Sequence, residues 1–209
     1  METIIIKIVS KDMKEEEKNI LEYSTNEFLN NGFYKTTMDQ LAKGMQISKK
    51  TIYKFFPSKY SLLEKVIIVF QKKLKTELDE IVDSDKCLIE KLKLVSSFFA
   101  KFLLRINKKV LSDFLNHEPE LWIKIDGFRT IIIEDIWDKL VTQGKNEGLI
   151  IDKSNKIIIT IILAALRAVI NPTFLTKNNI STSEAFEETF AIIINGILTE
   201  KGKSEFEKQ

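Results

Sequence analysis

The sequence predicts an all-α protein in which a small N-terminal head of three helices precedes a larger helical body, about nine helices in total. Three observations predict it. Only three prolines and seven glycines interrupt 209 residues, so long helices are the default. Apolar residues recur at three- and four-residue spacing along most of the chain, with no strand-like alternation to compete. A composition of 44% hydrophobic and 30% charged residues is that of an ordinary folded chain, long enough to bury a sizeable core.

The elements follow from local signals. A first helix is expected over 13–30, opened by an Asp12/Glu15 capping box, with Ile20, Leu21, Tyr23 and Phe28 inward and Asn31-Gly32 as its stop. Thr37 starts the second, its side chain accepting from the amide near Gln40, and Met38, Leu41 and Ala42 are buried. Gln46-Ile47 turn the chain, Ser48 caps a third helix over 48–56, and Pro57 ends it. Ser58 opens a fourth helix to about residue 82, with Leu62, Leu63, Val66, Val69 and Phe70 inward. After Asp83-Ser84-Asp85 come helices over 86–107, a short one over 110–115 broken at His117-Glu118-Pro119, and 119–146 with proline in its first turn. Helix 154–175 is bent or ended near Asn171-Pro172. The last, 181–199, opens with a Ser181/Glu184 box. The natural division is 1–57 as head and 58–209 as body.

Charge separates these two parts. Between Phe33 and Lys75, ten lysines stand against Asp39 and Glu64, a local balance of +8 in a chain whose total is +2. The rest therefore carries −6. A basic head on a mildly acidic body points to a polyanion-binding head, although lysine-rich helices also serve plain solubility. The third helix sharpens the point. At about 100° per residue, Lys49, Tyr53, Lys50 and Lys54 span roughly 140° of arc, and Ile52, Phe55 and Phe56 fall outside it. One face buries; the other offers three ammonium groups and a phenol to a DNA major groove.

Other classes find little support. One cysteine, Cys87, and one histidine, His117, exclude a disulfide framework and a zinc site built from these ligands, and they suit a reducing cytoplasm. No Gly-rich phosphate loop or nucleophile–histidine motif points to an enzyme, and no cofactor or metal is expected. The apolar run Ile4 to Val9 is too short for a signal peptide and reads as an N-terminal arm. The uncharged run Ile157 to Leu166 falls far short of the roughly 20 residues that span a bilayer, so no membrane partner is expected.

The residues from Ile20 to Leu62 resemble the DNA-binding region of the TetR/AcrR family of bacterial transcriptional regulators. The resemblance is carried by Phe28, Gly32, Phe33, Thr36-Thr37, Leu41-Ala42, Ile47-Ser48-Lys49, Thr51-Ile52-Tyr53, Phe56, Ser58-Lys59 and Leu62. Two positions depart from it: Gln46 stands where the turn usually has glycine, and Lys50 replaces another common glycine. Gln46 requires either a left-handed non-glycine residue or a different turn.

The candidate DNA contacts are Thr37, Ser48, Lys49, Lys50, Thr51, Tyr53, Lys54 and Lys59. Thr37 and Lys59 sit at helix starts and can meet phosphate, as can the Tyr53 hydroxyl. Ser48 caps the reading helix. Lys49, Lys50, Thr51 and Lys54 are the candidates for base edges, lysine for guanine acceptors and the threonine methyl for thymine. The resemblance implies the same backbone clamp by Tyr53, Thr37 and Lys59.

The body offers two further signals. Phe186, Phe190, Ile193 and Ile197 form one stripe, and Ile157 to Leu166 is apolar almost all round, which predicts burial on more than one side. The pair suits either an intrachain core or a two-fold interface of four helices, and the resemblance implies a homodimer through these last two helices. The middle of the chain is rich in aromatic residues. Phe98, Phe102, Phe114, Trp122, Trp137 and Phe174 suit a plain core or, as the resemblance implies, a pocket for a small organic effector. Arg167 in its apolar helix must reach the surface or find a partner. The expected function is a ligand-responsive homodimeric regulator, with repression the family's usual sign, reading a palindromic DNA operator. The alternative is a helical protein-interaction module with a basic head and no sequence preference.

Overall fold

A computed structural model describes residues 13–106 and 108–208, the side chain of Lys108 excepted. The N-terminal arm and Asp12 lie outside the described residues. Eleven helices are present among those described: α1 (Glu15–Asn31), α2 (Met38–Gly44), α3 (Lys49–Phe55), α4 (Lys59–Val82), α5 (Leu88–Leu103), α6 (Lys108–His117), α7 (Pro119–Asn146), α8 (Asn155–Val169), α9 (Pro172–Asn178), α10 (Thr182–Ile197) and α11 (Glu200–Lys208). The all-α expectation holds, with more helices than the nine expected. Helix α1 starts at Glu15 behind Lys14, which provides no side-chain cap, and the expected Asp12/Glu15 box falls on a residue outside those described. The expected helix 154–175 is two helices bent by 55°, because Asn171 ends one and caps the next through its bond from the Phe174 amide. Helix α11 was not expected.

The chain forms two compact units. One takes residues 1–75 and 109–125, and the other takes 76–108 and 126–209. The expected division after residue 57 therefore does not coincide with a break between compact units: α4 runs on to Lys75 within the first, which also recruits α6. The core of this first unit gathers Ile20, Leu21 and Phe28 of α1, Leu41 of α2, Ile52 of α3, Leu62 and Leu63 of α4, and Phe114 of α6. Helix amphipathicity selected these faces, and each burial removes one apolar side chain from water at about 1.5–3 kcal/mol.

In the second unit, α10 packs against both α5 and α8. Phe186 and Phe190 are buried here, Phe186 against Phe99 at 5.3 Å and Phe190 against Trp137 at 6.2 Å between ring centroids. Phe186 and Phe190 are intrachain core, while Ile193 and Ile197 of the same stripe are half-buried, and the period alone could not distinguish a neighbouring helix from a partner chain. Helix α8 is likewise buried on one side only: Ile158, Ile159, Ile162 and Leu166 face in, while Ile157 and Ile161 stay about 60% and 59% exposed. Arg167 satisfies both of its options, half exposed and paired with Asp126 at 3.0 Å. No single helix among the described residues is long and apolar enough to cross a membrane.

Candidate nucleic-acid interface

Two caps and one strained residue set the geometry of the helix-turn-helix. Thr37 and Gln40 close the expected reciprocal box: the Gln40 amide donates to Thr37 Oγ1 at 3.2 Å, and the Thr37 amide donates to Gln40 Oε1 at 2.8 Å. The chain leaves α2 through Met45 and Gln46, whose φ of +57° is left-handed. Of the two options for this non-glycine turn, the left-handed one is realised, and the Ile47 amide then returns to Ala42 O at 3.0 Å. Ser48 Oγ caps α3 by accepting from the Thr51 amide at 3.1 Å.

Within α3, Ile52 is fully buried, and Phe56 just beyond the helix is buried too. Their burial turns the opposite face outward. Lys49, Lys50, Tyr53 and Lys54 are exposed, Tyr53 to 45%. The four are not equivalent. The Lys49 ammonium is ion-paired with Asp39 of α2, and Lys54 Nζ lies 5.2 Å from the Phe55 ring centroid. Lys50 makes no ion pair among the described residues, which leaves its charge uncommitted.

Three further candidates are engaged internally, besides Thr37 in its box and Lys49 in its ion pair. Thr51 Oγ1 lies 2.9 Å from Ser48 Oγ, so its hydroxyl belongs to the cap. Ser48 is the cap itself. Lys59, at the start of α4, donates from Nζ to the Tyr34 carbonyl at 2.7 Å. Burial pushes the Lys59 ammonium below the usual lysine range, against the opposite pull of the Asp113 and Glu118 carboxylates. The sequence showed Asp39 only as one charge in the local balance, and neither its pairing with Lys49 nor the partners of Tyr34 were read from it. Asp39 was legible as the one acidic residue between Phe33 and Tyr53, but its partner was not.

The six aromatic effector candidates do not fall in one unit. Phe114 and Trp122 pack into the first unit's core, where Phe114 lies 4.7 Å from Phe33 and 6.2 Å from Trp122. Phe98, Phe102, Trp137 and Phe174 belong to the second. Phe98 and Phe102 stack at 6.1 Å, both half-buried, as is Phe174, while Trp137 is buried. No cluster of histidine, cysteine or carboxylate side chains among the described residues could hold a metal.

Comparison with known proteins agrees with this architecture. The profile of the bacterial regulatory proteins of the tetR family matches residues 20–66. The HTH-type transcriptional regulator YvaF of Bacillus subtilis, itself uncharacterised, is 23% identical over 79% of this chain and 87% of its own. YhgD of the same organism, another uncharacterised HTH-type regulator, is 38% identical over 32% of this chain and 35% of its own. Among solved structures, a TetR-family regulator from Agrobacterium tumefaciens superposes with a TM-score of 0.66 at 13% identity, covering 88% of this chain and 98% of that one. The fatty acid degradation regulator FadR of Bacillus halodurans gives a TM-score of 0.63 at 18% identity over 89% and 98%. The matched residues span α1 from Ile20, the capped α2, the left-handed turn, α3 and the start of α4. Residues 20–66 thus carry the N-terminal helix-turn-helix domain of the bacterial tetR-family regulatory proteins, and most of the chain has the fold of solved proteins of that family.

Proposed function

We propose that this chain is a cytoplasmic, ligand-responsive homodimeric transcriptional repressor whose two α3 helices read a palindromic operator in successive major grooves. One observation carries the reading: α3 buries Ile52 completely while presenting Lys50, Tyr53 and Lys54 together to solvent. Lys49 and Lys54 are partly engaged with Asp39 and Phe55, but most of this cationic face is open to a polyanion. In this reading Lys50 and Lys54 meet base edges, with guanine O6 and N7 as the matching acceptors, and Tyr53 and Thr37 meet phosphate. Lys49, Ser48, Thr51 and Lys59 contribute from the rim, constrained by the contacts they already make. Residues 1–57 then carry the DNA contacts apart from that of Lys59, and 58–209 the effector and dimer functions.

The dimer would form on the outward faces of α8 and α10. Ile157 and Ile161 stand one turn apart on α8, with Ala164 and Ala168 continuing the exposed row, and Ile192 on α10 is 73% exposed. Exposed isoleucines on two adjacent helices suit an isologous four-helix contact. A small organic effector would bind among Phe98, Phe102, Trp137 and Phe174 of the second unit and favour one arrangement of the two heads over the other.

Selection of bound duplexes from a random library tests the reading. The expected result is an inverted repeat with two half-sites, bound with an affinity that falls steeply as salt rises. An unrepeated site would remove the dimer, and no sequence preference at all would favour the helical interaction module instead.

A further inference from the structure

Tyr34, in the connection between α1 and α2, is held at three points by side chains distant in sequence. Its amide donates to Asp113 Oδ2 at 2.9 Å, across 79 positions. Its carbonyl accepts from Lys59 Nζ at 2.7 Å. Its ring stacks on the imidazole of His117, centroids 3.4 Å apart and planes 7° from parallel. Asp113 and His117 are four residues apart on α6, so one face of that helix presents both.

The approach is close. A Cβ placed on Gly32 would lie 2.6 Å from Asp113 Oδ2, and Gly32 has a φ of +81°, so the chain can pass this near α6 only as glycine. From there a run of hydrogen bonds leads into the helix-turn-helix. Thr36 Oγ1 donates to Gly32 O at 2.7 Å, and Thr37 then closes its box with Gln40 at the start of α2. Helix α2 packs on α3.

We infer that Asp113 and His117 are positioning residues for DNA reading: acting through the Tyr34 amide and ring, α6 fixes the Gly32–Thr37 connection and with it the orientation of the reading helix. Neither residue touches DNA. Tyr34 is 55% exposed and His117 is exposed, so the stack buries little apolar surface and contributes little to global stability. What it removes is freedom in a connection that would otherwise let α2 and α3 tilt together. The inference rests on the proposed reading of DNA by α3.

The test uses the full chain with Asp113→Ala, Asp113→Asn, His117→Ala and His117→Phe, the duplex selected by the wild-type protein, and a random 30-base-pair duplex as control. Asp113→Ala is expected to weaken binding to the selected duplex by about tenfold, the size carried by one charge-assisted hydrogen bond. Binding to the random duplex, governed by charge and not by the set of the helix, should change by less than about twofold. Asparagine at 113 keeps a carbonyl oxygen for the Tyr34 amide and should restore most of the loss. Phenylalanine at 117 should likewise restore what alanine removes. Unchanged affinity for the selected duplex, or a loss that tracks the melting temperature and is not rescued, overturns the positioning role alone. A wild-type protein that prefers no duplex overturns the proposed function, and this inference falls with it.

Discussion

Lys49 opens the reading helix with its ammonium paired to the carboxylate of Asp39, a residue of the preceding helix, and both side chains remain more than half exposed. Each occupies the first turn of its own helix, where a carboxylate is favoured by the helix dipole and an ammonium is not. Asp39 thus offsets the unfavourable charge at the start of α3. It also places a negative charge on the face proposed to meet DNA. Asp39→Asn should therefore tighten binding to random-sequence duplex and steepen its salt dependence by about one phosphate contact, as Lys49 becomes available. Stability should change by less than about 1 kcal/mol, the range of exposed pairs. Fluorescence anisotropy across a salt series measures this, and weaker binding would instead assign Asp39 a direct role on a base, such as accepting from cytosine.

Gln46 holds the turn at φ +57°, a region where a side chain is strained and glycine is not. Gln46→Gly should relieve about 1–2 kcal/mol of strain while losing about 0.5–1 kcal/mol to the more flexible unfolded chain. The net expectation is a gain of up to about 1.5 kcal/mol with DNA affinity unchanged, since the turn keeps its shape. Denaturant unfolding with a paired binding titration checks both halves. A loss of stability would mean that the glutamine side chain has a compensating contact in solution.

The exposed row on α8 gives a direct probe of assembly. Ile161, 59% exposed, sits between Ile157 and Ala164 on the outward face. Ile161→Glu should leave the helical content and the melting temperature of the monomer near wild type, because most of this residue is left open by its own chain. Across a two-fold axis it would bring two carboxylates into an apolar contact, and the species in analytical ultracentrifugation should shift from dimer to monomer. A variant that stays dimeric would place the interface elsewhere.

Lys91 is a buried ammonium with defined work. Its Nζ donates to the Val82 carbonyl at the C-terminal end of α4 at 2.7 Å, and to Gln143 Oε1 at 2.8 Å. The Gln143 amide in turn donates to Glu147 at 2.6 Å and to the Lys86 carbonyl at 3.1 Å. Helix ends leave carbonyls that need such donors. Lys91→Met keeps the bulk and removes the donor, so the destabilisation should be about 1–3 kcal/mol, a fall of several degrees in melting temperature. Calorimetry reads it, and an unchanged transition would show that water replaces the ammonium.

The reading helix was legible because its signals are local. The Ser48 cap, the buried pair Ile52 and Phe56, and the stop at Pro57 all lie within ten residues, and even the exceptional turn announced itself as a missing glycine. What escaped depends on contacts across the chain. Helix α11 is polar along most of its length, and its place is set by tertiary packing: the Thr199 amide donates to Leu149 O at 2.9 Å, and Gly202 passes so near the same carbonyl that a Cβ would lie 2.3 Å from it. Lys93 lies over Phe206 at 5.2 Å to complete the contact. Phe186 and Phe190 show the reverse limit. Their spacing announced a buried face, but whether another helix of the same chain or a partner covers it is not written in the period. The Tyr34 node was hidden for the same reason, since Asp113 and His117 are visible as one helix face but their target is 79 positions away.

Glu22, on α1, provides the pH dependence. Burial raises its carboxyl above the ordinary glutamate range, Glu15 adds to the rise, and Lys18 one turn away opposes it. A carboxyl that binds its proton more tightly in the folded than in the unfolded chain makes stability fall as pH rises from the unfolded value, about 4.3, through the raised folded one. Above that window the folded protein carries the full penalty of the buried charge. Glu22→Gln removes the titration, so the variant should melt higher than wild type near pH 7, and the difference should disappear near pH 4, where Glu22 is largely protonated in the folded chain. Thermal unfolding of both proteins across this range supplies the measurement. A difference that persists unchanged at low pH would assign the effect to packing around α1 and not to the proton.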